Sequence, residues 1–268
     1  MGTILLAQPV PVDLRKAYSR DMAWLHAVID VPDDLSADAA RFWEAALGWP
    51  LGQPWPGHPE LRSFEPGRGV AYVHLQTVDA PPGVHVDVDV PDVRAAAAAA
   101  EGLGAAHVAS HDQWTTMLSP GGLPFCLVGT DGPSTPEPVA WPGGHHSRLV
   151  QVCIDSPRPV HDDEVAFWRA LLAGRFVDSP APEFTGKWHD DPSPLQLLFQ
   201  RLDEDEGPVR AHLDHGTDDR RAEVARLAAL GAAPGTEGRG WQVMEDPVGL
   251  TFCVTDNSPS AEVPRDIG

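Results

Sequence analysis

The sequence predicts an α+β protein that consists of two tandem copies of one domain, each built from a pair of β-α-β-β-β units. The segment Trp114–Cys126 returns 127 residues later as Trp241–Cys253, with seven identities in thirteen positions. Phe42-Trp43 likewise returns 125 residues later as Phe167-Trp168. The third observation is the order of the hydrophobic patterns, because strand-like alternation and helix-like spacing follow one another in the same order in both halves.

The repeat divides the 268 residues into five parts. These are an N-terminal extension (1–20), a first domain (21–130), a Pro- and Gly-rich linker (131–145), a second domain (146–255) and a polar C-terminal tail (256–268). Each domain then has about 110 residues, an ordinary domain size. The linker is expected to join neither a sheet nor a helix, and no role is predicted for His145-His146.

In the first unit, Trp24–Val31 alternates between polar and apolar side chains, which predicts a strand. A helix is predicted to begin at Ser36 and to continue through Leu47, with two aspartates near its positive end. Gly48 then stops the helix. Three strands are expected to follow, near Leu51, at Leu61–Phe64 and at Val70–Val78.

The second unit repeats this order. Val84–Val90 alternates strictly, so His85 and Asp87 share one face of a predicted strand and the valines share the other. Asp92 is expected to cap an alanine-rich helix that ends at Gly104. Three further strands are predicted, at His107–His111, Gln113–Leu118 and Pro124–Val128.

The second domain is predicted to follow the same order from Arg148 to Thr255. Its two helices are expected at Asp162–Leu172 and Asp218–Leu230. Such a chain contains a pseudo-dimer of its own two halves, and it remains open whether two chains pair further.

Composition excludes some classes of partner. The formal net charge of −20, from 39 acidic and 19 basic residues, disfavours nucleic acid and anionic membranes as partners. No apolar run is as long as a membrane span, which takes about 18 residues. The first residues lack the basic start of a signal peptide. Three cysteines are an odd count, and two occupy equivalent repeat positions, so a reducing cytoplasm is expected. The richness in Ala, Gly, Pro, Arg and Asp indicates a bacterial, GC-rich genome.

Four segments and their second copies resemble the vicinal oxygen chelate superfamily. The four are His26–Asp33, Ala40–Trp43, His85–Val90 and the Pro-Gly-Gly-Leu-Pro-Phe-Cys turn. The resemblance extends over 21–255 and is nearest to the bacterial glyoxalase-like domains. It implies that each pair of units curls into a cup-shaped mixed sheet. The superfamily includes glyoxalase I, extradiol dioxygenases, fosfomycin-resistance enzymes and bleomycin-resistance proteins, so the fold leaves the activity open.

In this superfamily a divalent metal lies at the base of the cup, held by the first, fourth, fifth and eighth strands. The resemblance implies His26 and His85 as ligands in the first domain, with His74 or Gln76 from the fourth strand and Cys126 from the eighth. The eighth-strand residue is usually Glu, and a thiol there favours Zn²⁺ or Fe²⁺ over a hard metal such as Mg²⁺. One divalent ion (Zn²⁺, Fe²⁺ or Mn²⁺) in the first domain is therefore one expectation, and no metal is the other.

The second domain has fewer donors at the equivalent positions, which are Gln151, Leu198 or Gln200, His212 and Cys253. One imidazole without a carboxylate predicts a poor metal site, so this domain is expected to be a degenerate partner. Both Cys126 and Cys253 can also be interpreted as small buried hydrophobic residues.

Other polar and aromatic side chains are expected to line the pocket: Tyr72, Gln76, Asp87, Trp114, Gln151, Gln200, His212, Asp214 and Trp241. The two aspartates follow a histidine on the same strand face, where they either orient its imidazole or face solvent. The two tryptophans are either walls of a small-molecule pocket or ordinary core residues.

Three functions remain open. The first is a metal-dependent enzyme of glyoxalase, lyase, isomerase or dioxygenase type that acts on a vicinal-oxygen substrate. The second is a metal-free binding or resistance protein that holds a planar or cationic small molecule, as bleomycin-resistance proteins do. The third is a scaffold whose cups are filled by its own side chains. The pair His26 and His85 favours chemistry, whereas the thiol of Cys126 in place of a Glu favours binding.

Overall fold

The computed structural model describes residues 24–129, 134–172, 174–179, 181–189 and 193–260. The predicted N-terminal extension (1–20) and the end of the predicted tail (261–268) lie outside these ranges. The described part of the chain contains four helices and seventeen strands, and the strands form two sheets.

The helices are α1 (Asp33–Leu47), α2 (Val93–Gly102), α3 (Arg158–Leu171) and α4 (Arg220–Ala229). The strands of the first domain are β1 (Leu25–Val31), β2 (Leu51–Trp55), β3 (His58–Phe64), β4 (Val73–Thr77), β5 (Gly83–Val90), β6 (Ala106–Ser110), β7 (Trp114–Leu118) and β8 (Pro124–Gly129). Those that follow are β9 (Val139–Ala140), β10 (His146–Ser156), β11 (Arg175–Asp178), β12 (Phe184–His189), β13 (Gln196–Arg201), β14 (Arg210–Thr217), β15 (Ala233–Gly238), β16 (Trp241–Glu245) and β17 (Thr251–Thr255).

The two sheets have the same topology, which confirms the predicted duplication. The first has the strand order β2-β3-β4-β1-β5-β8-β7-β6, and the second has the order β11-β12-β13-β10-β14-β17-β16-β15. At the centre of the first sheet β1 and β5 run antiparallel, and β4 and β8 flank them in parallel. Both sheets are mixed and open, so each has a face that can enclose a cavity.

The predicted helices are present, and their ends follow from local chemistry. Helix α1 begins three residues before the predicted Ser36, after Pro32, which offers no side-chain cap. It ends at Gly48, whose φ of 69° lies in the left-handed region that a residue without Cβ adopts readily. Helix α2 begins as predicted, because the side chain of Asp92 accepts a hydrogen bond from the backbone of Ala95 at 3.0 Å.

The prediction that the linker joins no sheet is wrong for its second half. Val139 and Ala140 pair with Ser147 and His146 and so add β9 to the second sheet. His145, for which no role was predicted, is buried and its Nε2 lies 2.8 Å from Glu223 Oε2. The buried carboxylate of Glu223 on α4 requires polar partners, and its contact with His145 holds the end of the linker in place.

The two domains are joined by a reciprocal contact at the repeated turn. Trp43 of α1 donates from Nε1 to Asp246 Oδ2 at 2.9 Å, in the turn of the second domain. In the opposite direction, Glu164 of α3 accepts hydrogen bonds at 2.9 Å from Ser119 Oγ and from the backbone of Gly121, in the turn of the first domain. Each domain therefore packs a helix against the other, as two subunits of a dimer would.

Candidate functional site

The first sheet places metal-donor side chains in one row across its centre. The pairing of β1 with β5 sets His26 opposite Asp87, and the pairing of β5 with β8 sets Asp87 opposite Cys126. These three residues, the donor row, all line one cavity. We call the cavity-facing side of the first sheet the first cup and that of the second sheet the second cup.

His85 lies beside the donor row and is held between two carboxylates. Its Nδ1 is 2.6 Å from Asp30 Oδ2, and its Nε2 is 3.3 Å from Asp87 Oδ1. Burial opposes the charged imidazolium, but the charge and the hydrogen bond of Asp30 outweigh burial and raise the pKa of His85 well above its ordinary value. Burial would raise the pKa of Asp87, yet the hydrogen bond from His85 keeps it below its ordinary value.

His26 belongs to a second polar chain in the same cup. Its Nδ1 lies 3.0 Å from His74 Nε2, and its Nε2 lies 3.0 Å from Asp89 Oδ1. His74 Nδ1 in turn lies 2.9 Å from Ser63 Oγ. Burial, followed by the effect of His26, lowers the pKa of His74 to about 3, so its imidazole is neutral at physiological pH.

One group of donors in the first cup converges closely enough to hold a metal. One ligand atom each from His85, Asp87 and Cys126 lies within 4.8 Å of the others. Asp87 Oδ1 is buried, and its contact with His85 Nε2, at 3.3 Å, is long for a hydrogen bond between charged groups. Burial raises the pKa of the Cys126 thiol, so metal binding there would have to release its proton. His26, predicted as a ligand, lies outside this group of three.

The second cup repeats the arrangement around His212. The Nδ1 of this histidine lies 2.6 Å from Asp155 Oδ2, and its Nε2 lies 3.4 Å from Asp214 Oδ1 and 3.6 Å from Cys253 Sγ. Burial opposes protonation, but the charge and hydrogen bond of Asp155, with the hydrogen bond of Asp214, raise the pKa of His212 well above its ordinary value. The quartet Asp-His-Asp-Cys is thus present once in each domain.

The positions equivalent to the family's ligands hold no carboxylate in the second domain, but Asp155 and Asp214 place two carboxylates beside His212. Two overlapping groups could hold a metal there, one of Cys153, Asp155 and His212, the other of His212, Asp214 and Cys253. Both carboxylates lie outside the family's ligand positions, because Asp155 and Asp214 follow Gln151 and His212 on the same strand faces.

A cavity of about 1950 Å³ extends over both cups. It exceeds the about 300–1000 Å³ of a typical ligand site, because two concave faces contribute to it. The predicted metal donors His26, His74, His85 and Cys126 all line it. So do these predicted pocket residues: Gln76, Asp87, Trp114, Gln151, Gln200, His212, Asp214 and Trp241.

Tyr72 is the exception and corrects one prediction. Its side chain is fully buried outside the cavity, and its hydroxyl donates to the backbone oxygen of Leu149 at 2.7 Å. Strand β4 begins only at Val73, so the two-residue period that links His74 with Gln76 does not extend back to Tyr72. The ring instead packs edge-on against Trp49, with 5.4 Å between the ring centroids.

Several site residues escaped the sequence analysis. Asp30 and Asp155 occupy the same repeat position and hold the two central histidines, so their identity in both copies was a usable signal. Lys187 projects into the second cup, and its signal is rarity, since lysine occurs only twice in the chain. His58 and His111 flank the ring of Trp114 at centroid distances of 4.6 and 4.4 Å, and nothing in the sequence joins these three residues.

Fold and site together define a tandem member of the vicinal oxygen chelate superfamily. The family model described as "Glyoxalase-like domain" matches residues 26–128 and again residues 151–255. The chain therefore belongs to the glyoxalase-like domain family, which confirms the resemblance seen in the sequence. A sequence search of curated proteins found no match.

Solved structures with the same fold include enzymes. The Mn(II)-bound glyoxalase from Novosphingobium aromaticivorans aligns with a TM-score of 0.60 and 18% identity, over 89% of this chain and 83% of that one. The 2,3-dioxygenase LapB from Pseudomonas sp. KL28 aligns with a TM-score of 0.54 and 14% identity, over 86% of this chain and 90% of that one. At these identities the likeness shows the fold alone. Among the described residues, no helix is long and apolar enough to span a membrane.

Proposed function

We propose that this protein binds a small molecule in its two-cup cavity and acts on neighbouring oxygen atoms of that molecule with a divalent metal held in the first cup. The observation that carries the proposal is the convergence of His85, Asp87 and Cys126, in which the buried Asp87 Oδ1 makes only a long contact of 3.3 Å with His85 Nε2 among the described residues. A buried carboxylate oxygen with so weak a partner is costly unless something else binds it.

The donor set fits a borderline metal. Imidazole, carboxylate and thiolate together suit Zn²⁺ or Fe²⁺, whereas Mg²⁺ and Ca²⁺ prefer oxygen ligands alone. Asp30 would hold His85 through Nδ1, which leaves Nε2 directed at Asp87. A carboxylate on the far nitrogen is the usual support for a metal-binding histidine. Mn²⁺, present in one structural neighbour, is less well suited to a thiolate.

The remaining residues of the first cup would position the bound molecule and limit its contact with water. A metal bound to these donors would supply a Lewis acid that stabilises negative charge on a substrate oxygen. The four ring nitrogens of His26 and His74 are held by each other, by Asp89 and by Ser63, so this pair would form a fixed polar wall beside the bound molecule. The ring of Trp114, between two histidines at the cavity wall, would cover a bound molecule and exclude water.

Metal content tests the proposal most directly. After loading with Zn²⁺ or Fe²⁺ and removal of excess, elemental mass spectrometry should find at least one ion per chain. Asp87→Asn should weaken binding at the first cup by about tenfold or more, because an amide oxygen carries no charge. Asp214→Asn, the matched change in the second cup, should leave the first-cup ion in place. Protein that retains no stoichiometric metal would contradict the proposal, as would variants that lose metal equally.

Metal-free binding of a small molecule is the second candidate, and one observation favours it. The nitrogen atoms of His26 already have partners in His74 and Asp89, and the eighth strand carries the Cys126 thiol where the family has a carboxylate. In this case a planar or cationic ligand would lie against Trp114 and Trp241 without chemical change. A ligand that raises the melting temperature equally with and without EDTA would support it.

A further inference from the structure

The second cup contains an amine that nothing in the fold requires. Lys187 is the one lysine within the described ranges, lies on β12 and lines the cavity. Its side chain is half-buried and makes no hydrogen bond or ion pair with any described residue. A cation that loses part of its hydration without gaining a partner costs free energy, so a structural role does not account for it.

The surroundings of Lys187 follow from strand register. The residue pairs with Val177 on β11 and with Leu198 on β13, and both of these apolar residues line the cavity. Burial lowers the pKa of Lys187, and the charge of Asp214 offsets only part of this effect. More of the amine is therefore neutral near physiological pH than in an exposed lysine, and a neutral amine is a nucleophile.

The first cup has no equivalent of this amine. Ser63 occupies the equivalent position in the first cup, because it pairs with His74 as Lys187 pairs with Leu198. The hydroxyl of Ser63 is hydrogen-bonded to His74 and Trp55. All the lysine and arginine residues among the cavity-lining residues belong to the second domain, namely Lys187, Arg210 and Arg239. The two cups have thus diverged, the first toward imidazoles and the second toward an unpaired amine.

We infer that Lys187 forms a covalent imine with an aldehyde or ketone that enters the second cup. The neutral Nζ attacks the carbonyl carbon, and the nitrogen proton passes to the carbonyl oxygen, which gives a carbinolamine. Loss of that oxygen as water then leaves a C=N bond, so one water is released and nothing is oxidised or reduced.

Simple ion pairing with an anion is the competing use of Lys187. The carboxylates of Asp155 and Asp214 in the same cup disfavour an anion there, but they do not repel a neutral carbonyl compound. The covalent use is therefore the one the surroundings favour. This inference does not require the metal of the first cup.

Reductive trapping on metal-stripped protein separates these cases. Full-length protein treated with EDTA would be incubated with limiting acetaldehyde and cyanoborohydride at pH 7, followed by peptide mass mapping. The chain has only one other lysine, Lys16, which serves as the internal reference. Lys187 should be labelled about tenfold or more faster than Lys16, because burial lowers the pKa of Lys187 and leaves more of its amine in the neutral, nucleophilic form.

Variants complete the test. Lys187→Arg keeps the charge but removes the nucleophile, so label at this position should disappear, whereas Lys16→Arg should leave the rate at Lys187 unchanged. Circular dichroism of Lys187→Arg checks that the fold is retained. Labelling of Lys187 no faster than that of Lys16 would overturn the inference. Because the metal is removed first, this result stands apart from the outcome of the metal-content experiment.

Discussion

At the scale of single residues, the main feature is a histidine held by two aspartates, present in both cups. Asp30 and Asp155 approach the Nδ1 atoms of His85 and His212 at the same distance of 2.6 Å. Duplication preserved this contact while β1 of the first cup gained His26 where the second has Gln151. Residues that stay the same in both halves therefore mark a shared requirement, and residues that differ mark what each cup does by itself.

Removing Asp30 should show what this contact contributes to stability. Asp30→Ala leaves His85 with one carboxylate instead of two in a buried site, so we expect a loss of about 2–3 kcal/mol in the free energy of unfolding. Urea denaturation measures it. The control is Asp38→Ala, since Asp38 and Arg41 form an exposed ion pair, and that variant should change stability by at most about 0.5 kcal/mol. Equal effects in the two variants would contradict the prediction.

At the scale of elements, helices α1 and α3 connect the domains through the same two turns that revealed the repeat. The side chain of Asp246 accepts hydrogen bonds from the backbones of Val248 and Leu250 and so shapes the turn that Trp43 reaches. In the first domain Ser119 shapes the turn, and the carboxylate comes from Glu164 on the opposing helix. The same junction is therefore built from different residues on its two sides.

Glu164→Ala should destabilise this junction. The substitution removes the acceptor for Ser119, Gly121 and Trp168 at once and leaves their buried donors unpaired, so we expect a loss of about 2–4 kcal/mol. Asp163→Ala changes an exposed carboxylate one residue earlier on α3 and provides the control. The urea midpoints of both variants measure the difference. A loss no larger than in the control would show that the turn is held by packing alone.

At the scale of the whole molecule, a buried polar cluster joins the linker, the second sheet and both domains. Glu223 of α4 is bonded to His145, Ser147 and Arg226. Arg226 in turn donates to the backbone oxygens of Ala45 and Ala46, at the end of α1 in the first domain. The relative placement of the cups, and hence the shape of the shared cavity, depends on this cluster.

This cluster should make the protein sensitive to acid. His215 also belongs to this cluster, because its Nδ1 lies 3.7 Å from Glu223 Oε1. Burial lowers the pKa of His215 to about 4, so the stability that its neutral form provides is present above the unfolded pKa of 6.5 and is lost as pH falls toward 4. Burial acts against ionisation of Glu223, but Arg226 and the neighbouring histidines outweigh it and lower its pKa to about 2. Its contribution is therefore present above 4.5 and is lost as pH falls toward 2.

Thermal unfolding between pH 7 and pH 3 measures this dependence. The melting temperature should fall steadily with acidification, and Glu223→Gln should be less stable at pH 7 but show a shallower fall below pH 4.5, because it has no carboxylate to protonate. Glu245→Gln, an exposed change on β16, should follow the wild-type curve. An identical slope for Glu223→Gln and the wild type would rule out this cluster as the source.

The amino-acid sequence by itself determined the duplication, the order of helices and strands and the strand face that His85 and Asp87 share. These features depend on local periodicity, which each segment carries in its own residues. Tertiary structure alone decided that Asp87 lies opposite His26, that Tyr72 turns into the core and that Lys187 has no partner within the described ranges. Such contacts depend on the register between strands far apart in the chain, and register is set only when the sheet assembles.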